Sequence, residues 1–138
     1  MVTVEYPHQF NYREFDEGSS PILTVTMSRL DGADDEIDVD AYLDSGASRS
    51  LFNGSFLRGW GLTLMNDKRK VFTSTSGNGI EAYLHRVRIT LPAVGPYELD
   101  IGFSNGQISR NLLGRDFLNL VQVGFRENRL QFYLHPSP

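Results

Sequence analysis

A chain of 138 residues is long enough for one domain around a single core, burying roughly 65–70% of its unfolded surface. It contains no cysteine, which excludes disulfides, thiolate zinc sites and cysteine nucleophiles and fits a reducing compartment. A formal charge of −4, with Asp67-Lys68-Arg69-Lys70 as the one basic run, argues against a nucleic-acid partner.

Residues 1–20 are polar and aromatic by turns and lead into Gly18-Ser19-Ser20-Pro21. They read as an N-terminal arm ahead of a domain at 21–138. The first ten residues carry Glu5, Pro7 and His8 and lack the basic and apolar regions of a signal peptide. No later stretch approaches ~18 uninterrupted apolar residues. A soluble, cytoplasmic protein with no membrane partner is therefore expected.

Residues 22–27 and 36–43 alternate apolar and polar side chains with period two, the pattern of half-buried strands, and Asp31-Gly32 between them is a turn signal. Residues 55–60 read as a short helix stopped by Gly61, and the basic run 67–70 as a solvated turn. Strand patterns return at 87–91 and 97–103, joined through a turn at 92–96 that contains Gly95 and followed by Ser104-Asn105-Gly106. A second short helix is expected at 115–119. The end of the chain reads as a hairpin, 121–125 and 129–134 around a polar loop, with an edge available to another chain. The fold class is mainly β. With no internal repeat, the chain holds one lobe and not a duplicated pair.

Chemistry concentrates at Asp44. An apolar approach, Ala41-Tyr42-Leu43, delivers this carboxyl to Ser45, Gly46 and Ala47. One acid placed so can take part in peptide hydrolysis, in which one carboxyl activates water and a second polarises the scissile carbonyl. No second Asp-Ser/Thr-Gly exists in the chain; Asp100-Ile101-Gly102 lacks the hydroxyl and runs into Phe103. The other carboxyl must come from a second copy.

The stretch Asn111-Leu112-Leu113-Gly114-Arg115-Asp116-Phe117-Leu118 suits a strand passing directly into a helix. Together with the Asp44 motif it resembles the retropepsin-like aspartic proteases, the cellular and bacterial members more than the viral ones, over residues 22–134. The resemblance implies a single-lobe, barrel-like acid-protease fold with one or two short helices and a flap hairpin. It also implies a symmetric homodimer acting on peptide or protein substrates, without metal or cofactor. Asp44 would be the catalytic acid, facing its symmetry mate; so close a pair holds one proton and titrates as one dyad. Ser45 would turn its hydroxyl across the two-fold axis, Gly46 would offer an amide to the carboxylate, and Ala47 would complete the motif. Ser76, Gly77, Asn78 and Gly79 would form the flap tip. Gly114, Arg115 and Asp116 would be structural, the last two as an ion pair. Ser48 stands where many retroviral members carry an acid for this arginine, so Arg115 needs another partner. Arg49 and Arg110 fall near expected pocket walls, where they would favour acidic or polar substrate side chains or else extend to solvent.

Other readings of these residues are weaker. Asp44 to Ala47 also fits a plain Asx turn, and 76–79 an ordinary hairpin tip. Gly46-Ala47-Ser48-Arg49-Ser50 approaches a nucleophile elbow, with His85 and His135 as bases, but lacks its last glycine. Asp31 to Glu36 lacks the spacing of a calcium loop, and Asn53-Gly54-Ser55 fits a glycosylation acceptor that is idle without secretion. A non-catalytic module of the same fold, built for dimerisation or peptide binding, is the principal alternative to an enzyme.

Overall fold

The computed structural model describes residues 3, 5–15, 18–73, 77–92 and 94–137. Near the N-terminus lie three short strands, β1 (His8–Asn11), β2 (Arg13–Phe15) and β3 (Gly18–Ser20). Next come β4 (Ile22–Ser28) and β5 (Glu36–Leu43), paired antiparallel with Thr24 opposite Asp40 and Thr26 opposite Asp38. Their period-two pattern sorts the side chains: Leu23, Val25, Met27, Val39, Ala41 and Leu43 are buried. On the other face the two threonine hydroxyls donate to the two aspartates, at 2.6 and 2.8 Å.

Strand β6 (Leu51–Asn53) leads to helix α1 (Ser55–Gly59). Gly61 ends this helix at φ +73°. Its N–H reaches the Arg58 carbonyl at 2.9 Å and the Leu62 N–H reaches that of Leu57 at 2.9 Å, a paired closure that only a left-handed residue allows. A hairpin follows, β7 (Arg69–Thr73) and β8 (Gly79–Leu91), then β9 (Val94–Ser104), β10 (Asn111–Leu113) and α2 (Arg115–Leu118). The last two strands, β11 (Gln122–Arg126) and β12 (Gln131–His135), flank a single 3-10 turn at Glu127–Arg129.

The principal sheet has seven strands in the order β4-β5-β10-β6-β9-β8-β7, and β4 also pairs with β8. That extra pairing closes the sheet into a ring from which β7 projects. Two pairs within it, β5 with β10 and β6 with β9, are parallel, and the rest are antiparallel. Parallel neighbours cannot be joined by a tight turn, so each pair brings together segments far apart in sequence. Inside the ring, Phe52 meets Phe56 and Phe103 edge-on at 6.4 and 6.2 Å between centroids. Removing a ring so enclosed costs about 3–5 kcal/mol.

Within the stretch read as an N-terminal arm, β1 pairs antiparallel with β12, and Phe10 stacks on Phe132 at 5.0 Å. Strand β12 is therefore the middle of a three-stranded sheet, β1-β12-β11, whose edges are β1 and β11. The basic run is not a turn throughout, because Arg69 and Lys70 open β7, opposite Tyr83 and Ala82 of β8. Four charged residues in a row hide a strand from any pattern search, whereas the long partner β8 supplies the pairing that forms it.

Candidate active site

The parallel register of β5 and β10 sets Leu43 beside Leu113, so both strands end at the same level. The Asp44 N–H then donates to the Leu113 carbonyl at 2.9 Å. Beyond this point the chain turns tightly. Gly46 N–H donates to Asp44 Oδ1 at 2.9 Å and Ala47 N–H to the Asp44 carbonyl at 3.2 Å. Asp44 is half-buried, while Ser45, Gly46 and Ser48 are exposed.

The start of α2 grips this loop from behind. Arg115 N–H donates to the Ala47 carbonyl at 2.8 Å. Gly114 lies so close that a Cβ there would stand 2.8 Å from backbone atoms of both Ala47 and Arg49. Only a residue without a side chain lets the two backbones approach in this way. Ser50, which has no exposed surface, donates its N–H to both Asp116 oxygens at 3.0 Å and its hydroxyl to Oδ1 at 2.7 Å.

The expected Arg115–Asp116 ion pair is not formed. Neighbouring residues on a helix point about 100° apart and do not face each other. The Asp116 carboxylate is turned inward to Ser50 and also accepts the Phe117 N–H at 2.8 Å. Arg115 is exposed and belongs to no ion pair among the described residues.

Asp44 borders a cavity of about 750 Å³. Gly46 to Arg49 and Leu51 line one side, Lys70 to Thr73 of β7 another, and Ser109, Arg110 and Leu112 a third, with Ile80 from β8. Ile80 and Ser109 also border an adjoining cavity of about 420 Å³ between the start of β8 and residues 105–109. Arg49 and Arg110 thus both reach the cavity of Asp44. The Arg110 guanidinium stacks between the rings of Phe15 and Tyr42, 5.3 and 5.1 Å from their centroids.

Gly77, at φ +84°, Asn78 and Gly79 descend from the tip of the β7–β8 hairpin. Ser76, also expected at that tip, lies outside the described residues. Phe72 lies over Gly102 of β9, where a Cβ would fall 2.7 Å from the ring. Lower on the hairpin, Arg69 Nε donates to Glu81 Oε1 at 2.7 Å and Tyr83 donates to the same oxygen at 2.8 Å. The Arg69 hydrogen bond holds the Glu81 carboxyl below its ordinary range.

Phe72, which the resemblance places at the start of the flap, lines the cavity, and so do Lys70, Leu51 and Leu112, which the sequence does not mark as site residues. Nothing in their local spacing marks them; their common wall is made by strand pairing. The serine-hydrolase arrangement is not assembled. His85 Nε2 lies 2.7 Å from the Leu64 carbonyl, and His135 Nδ1 accepts the Ser137 N–H at 3.1 Å. Neither histidine borders the cavity that contains Ser48.

No protein-family model matches the chain, and no curated protein matches it significantly. Solved structures do. A retropepsin-like aspartic protease from Rickettsia conorii is 15% identical and superposes with a TM-score of 0.59, over 98% of this chain and 99% of that one. The EIAV protease, in complex with an inhibitor, is also 15% identical and superposes with a TM-score of 0.56, over 77% of this chain and 91% of that one. The chain has the single-lobe fold of the retropepsin-like aspartic proteases, and its resemblance to them holds at the level of architecture. The bacterial structure covers the larger share of it.

Proposed function

We propose that the protein is an aspartic endopeptidase, active as a homodimer, in which two Asp44 carboxyls share one site. The observation that carries this reading is the placement of Asp44. It stands at the common end of two parallel strands, its Oδ1 held by the Gly46 N–H, on the wall of a cavity of about 750 Å³. The fold shared with aspartic proteases supports it.

The chemistry needs two carboxyls with one proton between them. The ionised one takes a proton from water as the water oxygen attacks the scissile carbonyl carbon. The protonated one gives its proton to the carbonyl oxygen. The tetrahedral intermediate then collapses: its C–N bond breaks as the amine nitrogen receives the proton of the protonated carboxyl and the ionised carboxyl takes a proton from one hydroxyl of the gem-diol, which leaves a carboxylic acid and a dyad with one proton again. In this scheme Ser45 and Ala47 keep the loop in shape, the Gly46 amide fixes the orientation of the carboxylate, and the tip containing Gly77 to Gly79 closes over the peptide and excludes water.

The decisive experiment is hydrolysis of a peptide library by purified protein between roughly pH 3 and 6, where carboxyl pairs act, beside Asp44→Asn. This substitution keeps size and most hydrogen bonds but removes the titrating group. Cleavage by the parent and its loss in the variant, with unchanged circular dichroism, is the expected result. Cleavage retained in the variant overturns the proposal. Peptide binding without cleavage by either protein returns the non-catalytic module.

A further inference from the structure

Charge is unevenly distributed around the cavity of Asp44. The chain carries −4 overall, yet among the described residues this cavity is lined by three cations, Arg49, Lys70 and Arg110, and by no acid except Asp44 itself. All its other lining residues are uncharged. The same imbalance is not found one residue away, where Arg69 is matched across the hairpin by Glu81 at 2.7 Å. Nor is it found at the far end of β8 and β9, where Arg86 meets Asp100 at 3.5 Å and Arg88 meets Glu98 at 3.2 Å. Arg69, Arg86 and Arg88 of the neighbouring strands are each paired with an acid, whereas Arg49 and Lys70, like Arg115 and Arg126 elsewhere, are exposed and belong to no ion pair among the described residues.

The two cations also come from separate walls. Arg49 is in the loop that carries Asp44, and Lys70 is the second residue of β7, the first strand of the hairpin. Like charges around one concave site reinforce one another's potential, and exclusion of water by a bound peptide strengthens it further. Arg110, stacked between Phe15 and Tyr42, adds its charge from the third wall.

We infer that this cleft selects peptides with acidic side chains beside the scissile bond, and that Arg49 and Lys70 determine that specificity. The inference rests on the protease reading for its place in catalysis, but not for the binding preference itself. A glutamate or aspartate reaching Arg49 forms a charge-assisted, bidentate pair, and one reaching Lys70 a single charged hydrogen bond. An exposed cation of this kind is worth roughly two- to fivefold in affinity, so the pair together gives about tenfold. The preference weakens with added salt, because both side chains stand within reach of solvent ions.

The test separates binding from cutting. Asp44→Asn protein is used to capture peptides from a random library, and wild-type protein is used to cleave the same library. Enrichment of Glu and Asp over Gln and Asn in the captured pool is expected. It should be lost in the triple variant Asp44→Asn, Arg49→Gln, Lys70→Gln and decline between 50 mM and 500 mM salt (on the order of the range over which screening acts). Captured peptides without acidic enrichment, no captured peptides at all, or enrichment that persists in the triple variant would overturn the inference. Acidic enrichment in the captured pool with no cleavage by wild type defeats the protease reading alone. Cleavage without acidic preference defeats the charge inference alone.

Discussion

Ser50 and Asp116, 66 positions apart, are joined by three hydrogen bonds: the serine N–H reaches both carboxylate oxygens at 3.0 Å and its hydroxyl reaches one at 2.7 Å. The same hydroxyl accepts the Gly114 N–H at 3.1 Å. One buried side chain thus fastens the end of the Asp44 loop to the beginning of α2. Ser50→Ala would leave the Gly114 N–H without that partner and take one donor from a carboxylate, for a loss of about 1–3 kcal/mol. Urea unfolding should show a lower midpoint at unchanged slope. Ser48→Ala, at an exposed position, should stay within about 0.5 kcal/mol of wild type. Equal effects from the two substitutions would mean that Ser50 does not carry this corner.

Gly114 is the other half of the corner. A methyl group there meets the backbone of Ala47 and Arg49 at 2.8 Å, and backbone cannot rotate away as a side chain can. Gly114→Ala should cost about 1–3 kcal/mol by overpacking. It should also lower peptide capture by the cleft, since the displaced loop is the one that holds Asp44. Gly106→Ala is the control, because a Cβ at that position meets nothing within 4 Å. Unfolding curves and library capture on the two variants would check both parts.

Much of this architecture is legible from residues 22–43, where alternation predicts both strands and the Asp44 motif follows the second. The two short helices are also legible, because Gly61 and the Gly114 to Asp116 segment punctuate them. What local pattern does not carry is the parallel pairing of Leu43 with Leu113, since nothing in either strand names a partner 70 residues away. The β1–β12 pairing is hidden for the same reason: His8 to Asn11 mixes polar and aromatic residues, and burial of Phe10 on Phe132 exists only after the chain has closed. Lys70 is hidden by the charged run around it, and adjacency in sequence suggests an Arg115–Asp116 pair that helix geometry separates.

Tyr12 gives a pH prediction. Burial raises its hydroxyl from 10.0 to about 12, helped by its 2.7 Å hydrogen bond to the Glu127 carboxylate. A raised folded-state value means that the folded chain keeps the proton which the unfolded chain releases between these values. The contribution is therefore complete below pH 10 and is lost as pH rises from 10 to about 12. Tyr12→Phe should lie below wild type in thermal midpoint at neutral pH, and the gap should narrow over that alkaline interval. A gap of constant size from pH 8 to about 12 would mean that the hydroxyl does not titrate differently on unfolding.

Each chain has one Asp44, and the proposed chemistry uses two, so rate per chain should fall on dilution. The three-stranded sheet offers a place for a second copy to join, because β11 is one of its edges and presents Phe125 there at 43% exposure, with Leu130 close behind at 46%. An open strand edge with large apolar side chains is a template for pairing. Phe125→Lys should leave the fold intact and weaken the dimer. Sedimentation equilibrium would then give a mass nearer to one chain, and peptide hydrolysis would drop at low concentration and recover at high concentration. A species with the mass of a single chain that cleaves peptides at full rate at the same concentration would exclude the shared site. A Phe125→Lys protein that dimerises as strongly as wild type would instead place the contact elsewhere.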